Sequence, residues 1–305
     1  MQTAYHSGER IVQQLAGEEQ MAQRNGRIIK EKIVRGAFNF IENQPLVIIS
    51  SADQEGNVWT SALIGSIGYV KVRDESSLTL DLGGLQSPAE DVFFQNLEQN
   101  PQVGLLFIEP ASRRRYRVNG LANKGDKFLT IEVKEAYPNC PKYIQKRVVS
   151  FSEKDQNSGA MEIIGETLTG LEKNWIRGAD TFFVGSVGPD GRLDASHRGG
   201  KKGFVEILPD DTLKIPDYAG NSMYNTLGNF HQTPNAGLLF IDFKKGQTLQ
   251  LTGEASLLFD QKSTPDMEKT AGTGRYWLFR TKQWIRLEQH HAANWEFIEA
   301  SPFNP

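Results

Sequence analysis

Apolar residues fall in short runs along this chain, and two runs are the same word. Residues 100–109 read NPQVGLLFIE and residues 233–242 read TPNAGLLFID, with a proline before GLLFI and an acid after it in both. A five-residue run this apolar is too short for a helix and shows no alternation, so it predicts a strand covered on both faces. Each copy then reads alike. PLVIISSA and TFFVGSVG are strands closed by the hairpin signals EGN and DGR. A second strand follows, then SSLTLDL or DTLKIPD. In AEDVFFQNLEQNP, Val92, Phe93 and Leu97 sit at helical spacing and the pattern stops at Pro101; its twin is SMYNTLGNFHQTP. After GLLFI, a hairpin leads to YRVNGLA or LQLTGEA. Strand, hairpin, strand, helix, strand, hairpin, strand predicts a small, mostly antiparallel barrel with one helix over its mouth, built twice.

The spacing supports a duplication. Gly104 and Gly237 stand 133 apart, as do Asn96 and Asn229, and Ala122 and Ala255. Gly56 and Gly191 stand 135 apart, as do Ser61 and Ser196, a slip of two that a change in loop length accounts for. Self-similarity at so long a period decides the fold before any local motif does. The expected layout is an N-terminal helical arm over 1–40, whose GERIVQQLAGEEQMA is charged and periodic, a first barrel over 41–155 and a second over 156–305. The stretch FSEKDQNSGAMEIIGETLTGLEKNW reads as a linker followed by a helix, with the boundary near residue 155.

Composition narrows the function. The 305 residues carry 34 basic and 37 acidic side chains, a formal charge of −3, which is no footprint for nucleic acid. One cysteine, Cys140, excludes an intrachain disulfide and fits a reducing compartment. The start lacks the apolar core of a signal peptide, and no apolar run approaches the ~20 residues of a membrane span. The expectation is a cytoplasmic, globular protein that binds neither membrane nor nucleic acid.

The copies differ where chemistry would sit. After Ser61 the chain continues ALIGSIGYV; after Ser196 it continues HRGGKKGFV. An arginine in a glycine-rich segment suits an anion, because the guanidinium is bidentate and turns expose N–H groups. A solvated hairpin tip is the plain alternative. In IPDYAGNSMYNTLGNF, Asn221 and Ser222 read as caps at a helix N-terminus, which also favours anions. The first copy offers Pro88, Glu90 and Asp91 there: the proline lacks a donor and the carboxylates repel an anion.

DGRLDASHRGGKKGFV, DYAGNSMYNTLGN, AGLLFIDF and LQLTGEA resemble the FMN-binding split barrels of the pyridoxamine 5′-phosphate oxidase-like superfamily. RRRYRVNG and EAYPNCPKYIQKR are similar to a tandem subgroup of predicted flavin-nucleotide-binding proteins. The resemblance implies two split barrels paired as an intrachain pseudodimer, in a mainly β fold with flanking helices, with FMN in the groove between them; further homodimerisation stays open. It implies Ser196, His197 and Arg198 on the strand facing flavin, and Asn221 and Ser222 at the phosphate. From the other barrel it implies Arg115, with Cys140, Lys142 and Tyr143 in the segment after it. The vitamin B6 oxidases of the superfamily carry basic residues where this chain has Met223 and Tyr224, and RYWLFRTKQWIRLEQ lacks their substrate signature. The implied activity is flavin-dependent oxidoreduction of a small molecule whose identity stays open, as do its redox partners. The rivals are a non-catalytic module for flavin or another phosphate ligand, and an interaction protein with a decayed site.

Other features have plain readings. Arg113, Arg115 and Arg117 share one strand face by period two, with Arg114 on the other, which suits either an exposed edge strand or a cation (Arg115 or Lys142) beside the flavin. Cys140 reads as a structural thiol rather than a nucleophile. His290 and His291 lack metal-ligand spacing and read as surface residues. GTGRYW, residues 272–277, is too short to mark a dinucleotide fold.

Overall fold

The computed structural model describes residues 4–151, 161–288 and 293–305. The expected boundary near 155 lies outside them.

The first half contains seven antiparallel strands: β1 (Leu46–Ala52), β2 (Val58–Ile64), β3 (Val70–Asp74), β4 (Ser77–Asp81), β5 (Gln102–Glu109), β6 (Arg114–Lys124) and β7 (Phe128–Asn139). They are ordered β2-β1-β5-β6-β7-β4-β3. A bridge between Gly65 and Leu85 draws the two edges together. Two further strands follow, β8 (Lys146–Phe151) and β9 (Met161–Gly165). The second half repeats the seven as β10 (Thr181–Val187), β11 (Leu193–Gly199), β12 (Glu206–Ile207), β13 (Leu213–Pro216), β14 (Asn235–Asp242), β15 (Gln247–Leu258) and β16 (Tyr276–Glu288). Their order, β11-β10-β14-β15-β16-β13-β12, matches the first sheet strand for strand. The fold is mainly β, two split barrels in tandem. β9 pairs with β16, so part of the expected linker is a strand. The last strand, β17 (Ala293–Glu299), pairs back with β8 and ties the end of the second half to the first.

GLLFI has both faces covered for a specific reason. In β5, Leu105 and Phe107 enter the core of the first barrel. Leu106 and Ile108 point the other way and meet Phe183, Leu239 and Ile241 of the second half. In β14 the same alternation sends Leu238 and Phe240 to their own core and Leu239 and Ile241 to the shared seam. The period-two geometry of a strand thus makes each copy half core and half interface.

The glycine of the repeated word sets the seam spacing. A Cβ on Gly104 would lie 2.6 Å from the Asp194 Cα, and one on Gly237 would lie 2.9 Å from the Trp59 Cα. Trp59 and Asp194 are themselves 135 apart, so the two approaches are related by the pseudo-twofold. Gly120 and Gly253, also 133 apart, lie at matching bulges in β6 and β15.

Among the described residues, seven α-helices accompany the strands. The expected single helical arm is two short helices, α1 (Ser7–Leu15) and α2 (Glu19–Asn25), broken at Gly17, whose φ of +68° suits glycine. His6 and Glu9 form a capping box at the start of α1. α3 (Phe38–Glu42) leads into β1, and α4 (Val92–Leu97) and α6 (Asn225–Gln232) are the expected twin helices. Asn96 donates to Ser51 Oγ at 3.0 Å and Asn229 to Ser186 Oγ at 2.9 Å, which pins each twin to its barrel by the same bond. α5 (Gly170–Gly178) and α7 (Thr264–Lys269) flank the second barrel. Among the described residues, no helix is long and apolar enough to cross a membrane.

Candidate functional site

The hairpin at Gly191 sends β11 back along the seam, so its end carries second-half side chains up to the first half. Ser196 faces α6, where Thr226 Oγ1 donates to its hydroxyl at 3.1 Å. His197 meets the Phe183 ring edge-on in the seam. Gly199 closes the strand because the carbonyl of Tyr143 passes only 2.1 Å from where a Cβ would stand. From the first half, β6 brings Arg115 and Arg117, and the chain after β7 brings Asn139, Cys140 and Tyr143. These residues, with the loop from Pro216 to Asn225, line one cleft between the halves.

Arg117 is the centre of the cleft wall, and neither charge nor motif singled it out. It is buried, and its Nε lies 2.8 Å from Asp194 Oδ1 and donates to the Ala195 carbonyl at 3.0 Å. Nη1 donates to Tyr137 Oη at 2.7 Å and Asn225 Oδ1 at 3.2 Å, and Nη2 donates to Ser196 Oγ. The signal that finds it is register: Arg117 stands 133 before Gln250, whose amide donates to Ser61 Oγ at 2.8 Å across the same seam.

The structure brings eight of the nine expected site residues to this cleft: Arg115, Cys140, Tyr143, Ser196, His197, Arg198, Asn221 and Ser222. Lys142 is on the rim, where Nζ donates to the Ala219 carbonyl at 3.3 Å beside the Tyr143 hydroxyl, which donates to the same oxygen at 2.9 Å. Arg115 donates to the Cys140 carbonyl at 2.8 Å and to its sulfur at 3.5 Å, which gives the lone thiol a packing role beside the guanidinium. Two expectations are corrected. Arg113 does not share a strand face with Arg115 and Arg117; it precedes β6 with φ of +56° and reaches Ile144 O and Glu299. Arg114 pairs with Glu109 on the exposed side. Asn221 and Ser222 do not cap α6, which starts after Tyr224. Asn221 instead turns its Oδ1 onto the Met223 N–H at 3.1 Å, and Ser222 and Tyr224 both take positive φ, so a strained loop precedes the helix. His290 and His291 lie outside the described residues.

The electrostatics suit an acceptor-rich anion. Three guanidiniums, Arg115, Arg117 and Arg198, line the cleft against Asp194 and Asp217, and Asp217 is engaged by Arg275 at 3.0 Å. Burial lowers the pKa of Arg115 and of Arg198. Burial, then Arg115 and Arg198, hold His197 well below the ordinary imidazole value, so it is neutral. Both His197 ring nitrogens, Arg198 Nε and Asn139 Nδ2 are buried without a hydrogen-bond partner among the described residues. Buried polar groups are almost always paired, so this concentration at one cleft points to bonds made by a ligand.

The groove related by the pseudo-twofold is closed. Asp91 caps α4, accepts from Phe93 N at 2.9 Å and from the Ser61 hydroxyl, and takes a third bond from Gln250. Trp59, Val92, Ile285 and Leu287 pack beside it as an apolar plug. At the matched positions Thr248, Gln250 and Leu63 stand where the other groove has Arg115, Arg117 and Arg198, and Asp91 bonds Ser61 where Thr226 bonds Ser196. Among the described residues, no group of His, Cys, Asp and Glu is placed to hold a metal.

The family model described as pyridoxamine 5′-phosphate oxidase matches the chain twice, over residues 36–135 and 168–296. No curated protein matches. Among solved structures, a pyridoxamine 5′-phosphate oxidase-related, FMN binding protein from Nostoc punctiforme is 13% identical, with 44% of this chain and 100% of that one covered and a TM-score of 0.31. The HupZ protein of Group A Streptococcus is 15% identical, with 35% and 93% covered and a TM-score of 0.29.

Proposed function

Because the chain belongs to the pyridoxamine 5′-phosphate oxidase family, we propose that it binds one FMN in the cleft between its halves and serves as a flavin-dependent oxidoreductase for a small molecule. The observation that carries this reading is the set of partnerless donors and the neutral imidazole gathered among three arginines at the seam. Arg198 and Ser196, with the 220–225 loop and the start of α6, would hold the phosphate, where a guanidinium and backbone N–H groups both favour a dianion. Arg115, His197 and Asn139 would meet the polar edge of the ring. FMN, when bound, supplies the electron transfer. Arg115 then contributes a fixed cation that favours negative charge on the ring beside it. His197, neutral, would offer the ring one donor and one acceptor. Tyr143 and Tyr218, with ring centroids 5.1 Å apart, both line the cleft.

A buried apolar side chain supports FMN over a vitamin B6 phosphate as the ligand of this cleft. Met223, where the resemblance puts a basic residue, is fully buried against Tyr5, Ala22 and Tyr137. The test is to purify the protein, record its visible spectrum, titrate ligand-free protein with FMN and then offer electron donors and acceptors. A colourless protein that takes up no added FMN refutes the reading. Bound FMN that no donor reduces would leave the non-catalytic carrier instead.

A further inference from the structure

The arm over residues 4–28 reads in the sequence as a charged appendage, yet two of its polar side chains are buried. Glu9 and Gln13 are about 5% and 4% exposed and lie one turn apart on α1. Gln13 Nε2 donates to the Met223 carbonyl at 3.0 Å, and Asn25 Nδ2 donates to the Asn221 carbonyl at 2.7 Å. Asn225 Nδ2 donates to Glu9 Oε1 at 2.5 Å. Glu18 reaches Arg275, which holds Asp217. Three of these contacts fall on the segment from Asp217 to Asn225 that lines the cleft, and the fourth reaches it through Arg275. α1 crosses α6 close enough that a Cβ on Gly8 would stand 2.3 Å from the Gly228 carbonyl.

We propose that Glu9, Gln13 and Asn25 are positioning residues of the cofactor cleft, clasping the 221–225 loop in the shape that faces Arg115, Arg117 and Arg198. This rests on the reading of that cleft as the FMN site. The loop needs such a clasp, because Ser222 at φ +62° and Tyr224 at φ +60° adopt a conformation that costs an L-residue energy and persists only where its surroundings impose it. Two carbonyls of the loop are held by the arm. The third contact is directional. Asn225 has one amide, and giving its N–H to Glu9 turns its Oδ1 toward Arg117 Nη1, the group whose neighbouring nitrogen holds Ser196. A chain of side-chain bonds therefore runs from the arm, through the helix start, to the strand expected to face the ligand.

The experiment uses the full chain carrying Gln13→Met and Asn25→Leu together, which removes both donors at similar volume. Amide hydrogen exchange is measured without ligand over 219–226, with β5 and β14 as the reference for folding. We expect about tenfold faster exchange in the loop, unchanged strands, and FMN release faster by about the same factor. Loop exchange equal to the parent's in the folded variant overturns the clasp. Should β5 and β14 lose protection as well, the same measurement on each single variant decides. Glu9→Gln, which keeps the acceptor for Asn225, is expected to match the parent, and Glu9→Leu to match the double variant; equal loss in both would remove Glu9 from the role. The exchange data need no ligand, so a parent that binds no FMN fails the cleft reading separately from the clasp.

Discussion

Arg117 of the first half donates to the Ser196 hydroxyl of the second, and Gln250 of the second half donates to the Ser61 hydroxyl of the first. The two bonds are one contact made twice in opposite directions, with a charged donor in one copy and a neutral one in the other. The difference follows from what lies opposite, because the charged copy has Asp194 at 2.8 Å. Arg117→Gln should therefore destabilise the fold by about 3–5 kcal/mol, the cost of leaving a buried carboxylate without its cation. Urea denaturation measures it, and an unchanged midpoint would show that Asp194 finds another partner.

Stoichiometry follows from the closed groove. Titration should saturate at one FMN per chain, because Asp91 and the plug of Trp59, Val92, Ile285 and Leu287 fill the equivalent space. Two equivalent sites per chain would contradict this.

Arg198→Ala should weaken FMN by about 1.5–3 kcal/mol, the scale of a hydrogen bond to a charged group. Riboflavin, which lacks the phosphate, should lose far less. Equal losses for the two ligands would place Arg198 away from the phosphate.

How far was this legible in the sequence? Local features were. The two GLLFI strands, the hairpin glycines 56 and 191 and the paired Asn96 and Asn229 follow from short-range pattern and from spacing, and the structure uses them as read. Basic residues after Ser196 pointed to the cleft for the same reason. What escaped was set by contacts distant in sequence. Glu9, Gln13 and Asn25 look like the polar face of a solvated helix, and only the loop and helix start over 221–225, some 200 residues on, supply their partners. Asn221 looks like a cap because Asn and Ser are cap residues, but the positive φ of Ser222 and Tyr224 delays the helix to Asn225. β8 gave no sign that its partner is β17.

The seam glycines should tolerate no side chain. Gly104→Ala sets a Cβ 2.6 Å from the Asp194 backbone, and Gly237→Ala meets the Val58 carbonyl at 2.7 Å. Backbone faces backbone in both, so little can yield, and each change should cost about 1–3 kcal/mol. Gly170→Ala, where a Cβ meets nothing, is the control. Thermal melts compare the three, and a Gly104 variant as stable as the Gly170 one would mean the halves can separate without penalty.

Glu9 makes stability depend on pH. Burial, the dominant cause, raises its carboxyl from 4.5 to about 8 in the folded protein. Between those values the folded chain keeps a proton that the unfolded chain has released, so folded stability falls as pH rises from about 4.5 to about 8 and levels off above. Glu9→Gln cannot titrate. Its melting temperature should decline less than the parent's between pH 6 and pH 8, and parallel declines would assign the slope to other groups.

The paired seam also fixes what evolution of this molecule can change. In an assembly of two identical subunits, every substitution appears in both grooves at once, so neither can specialise without harming its twin. Here the two halves are covalently one chain, and the two grooves differ: Gln250 bonds Asp91 in one, and Arg117 pairs with Asp194 in the other. Divergence is free in the grooves and forbidden at Gly104 and Gly237, where the backbones touch.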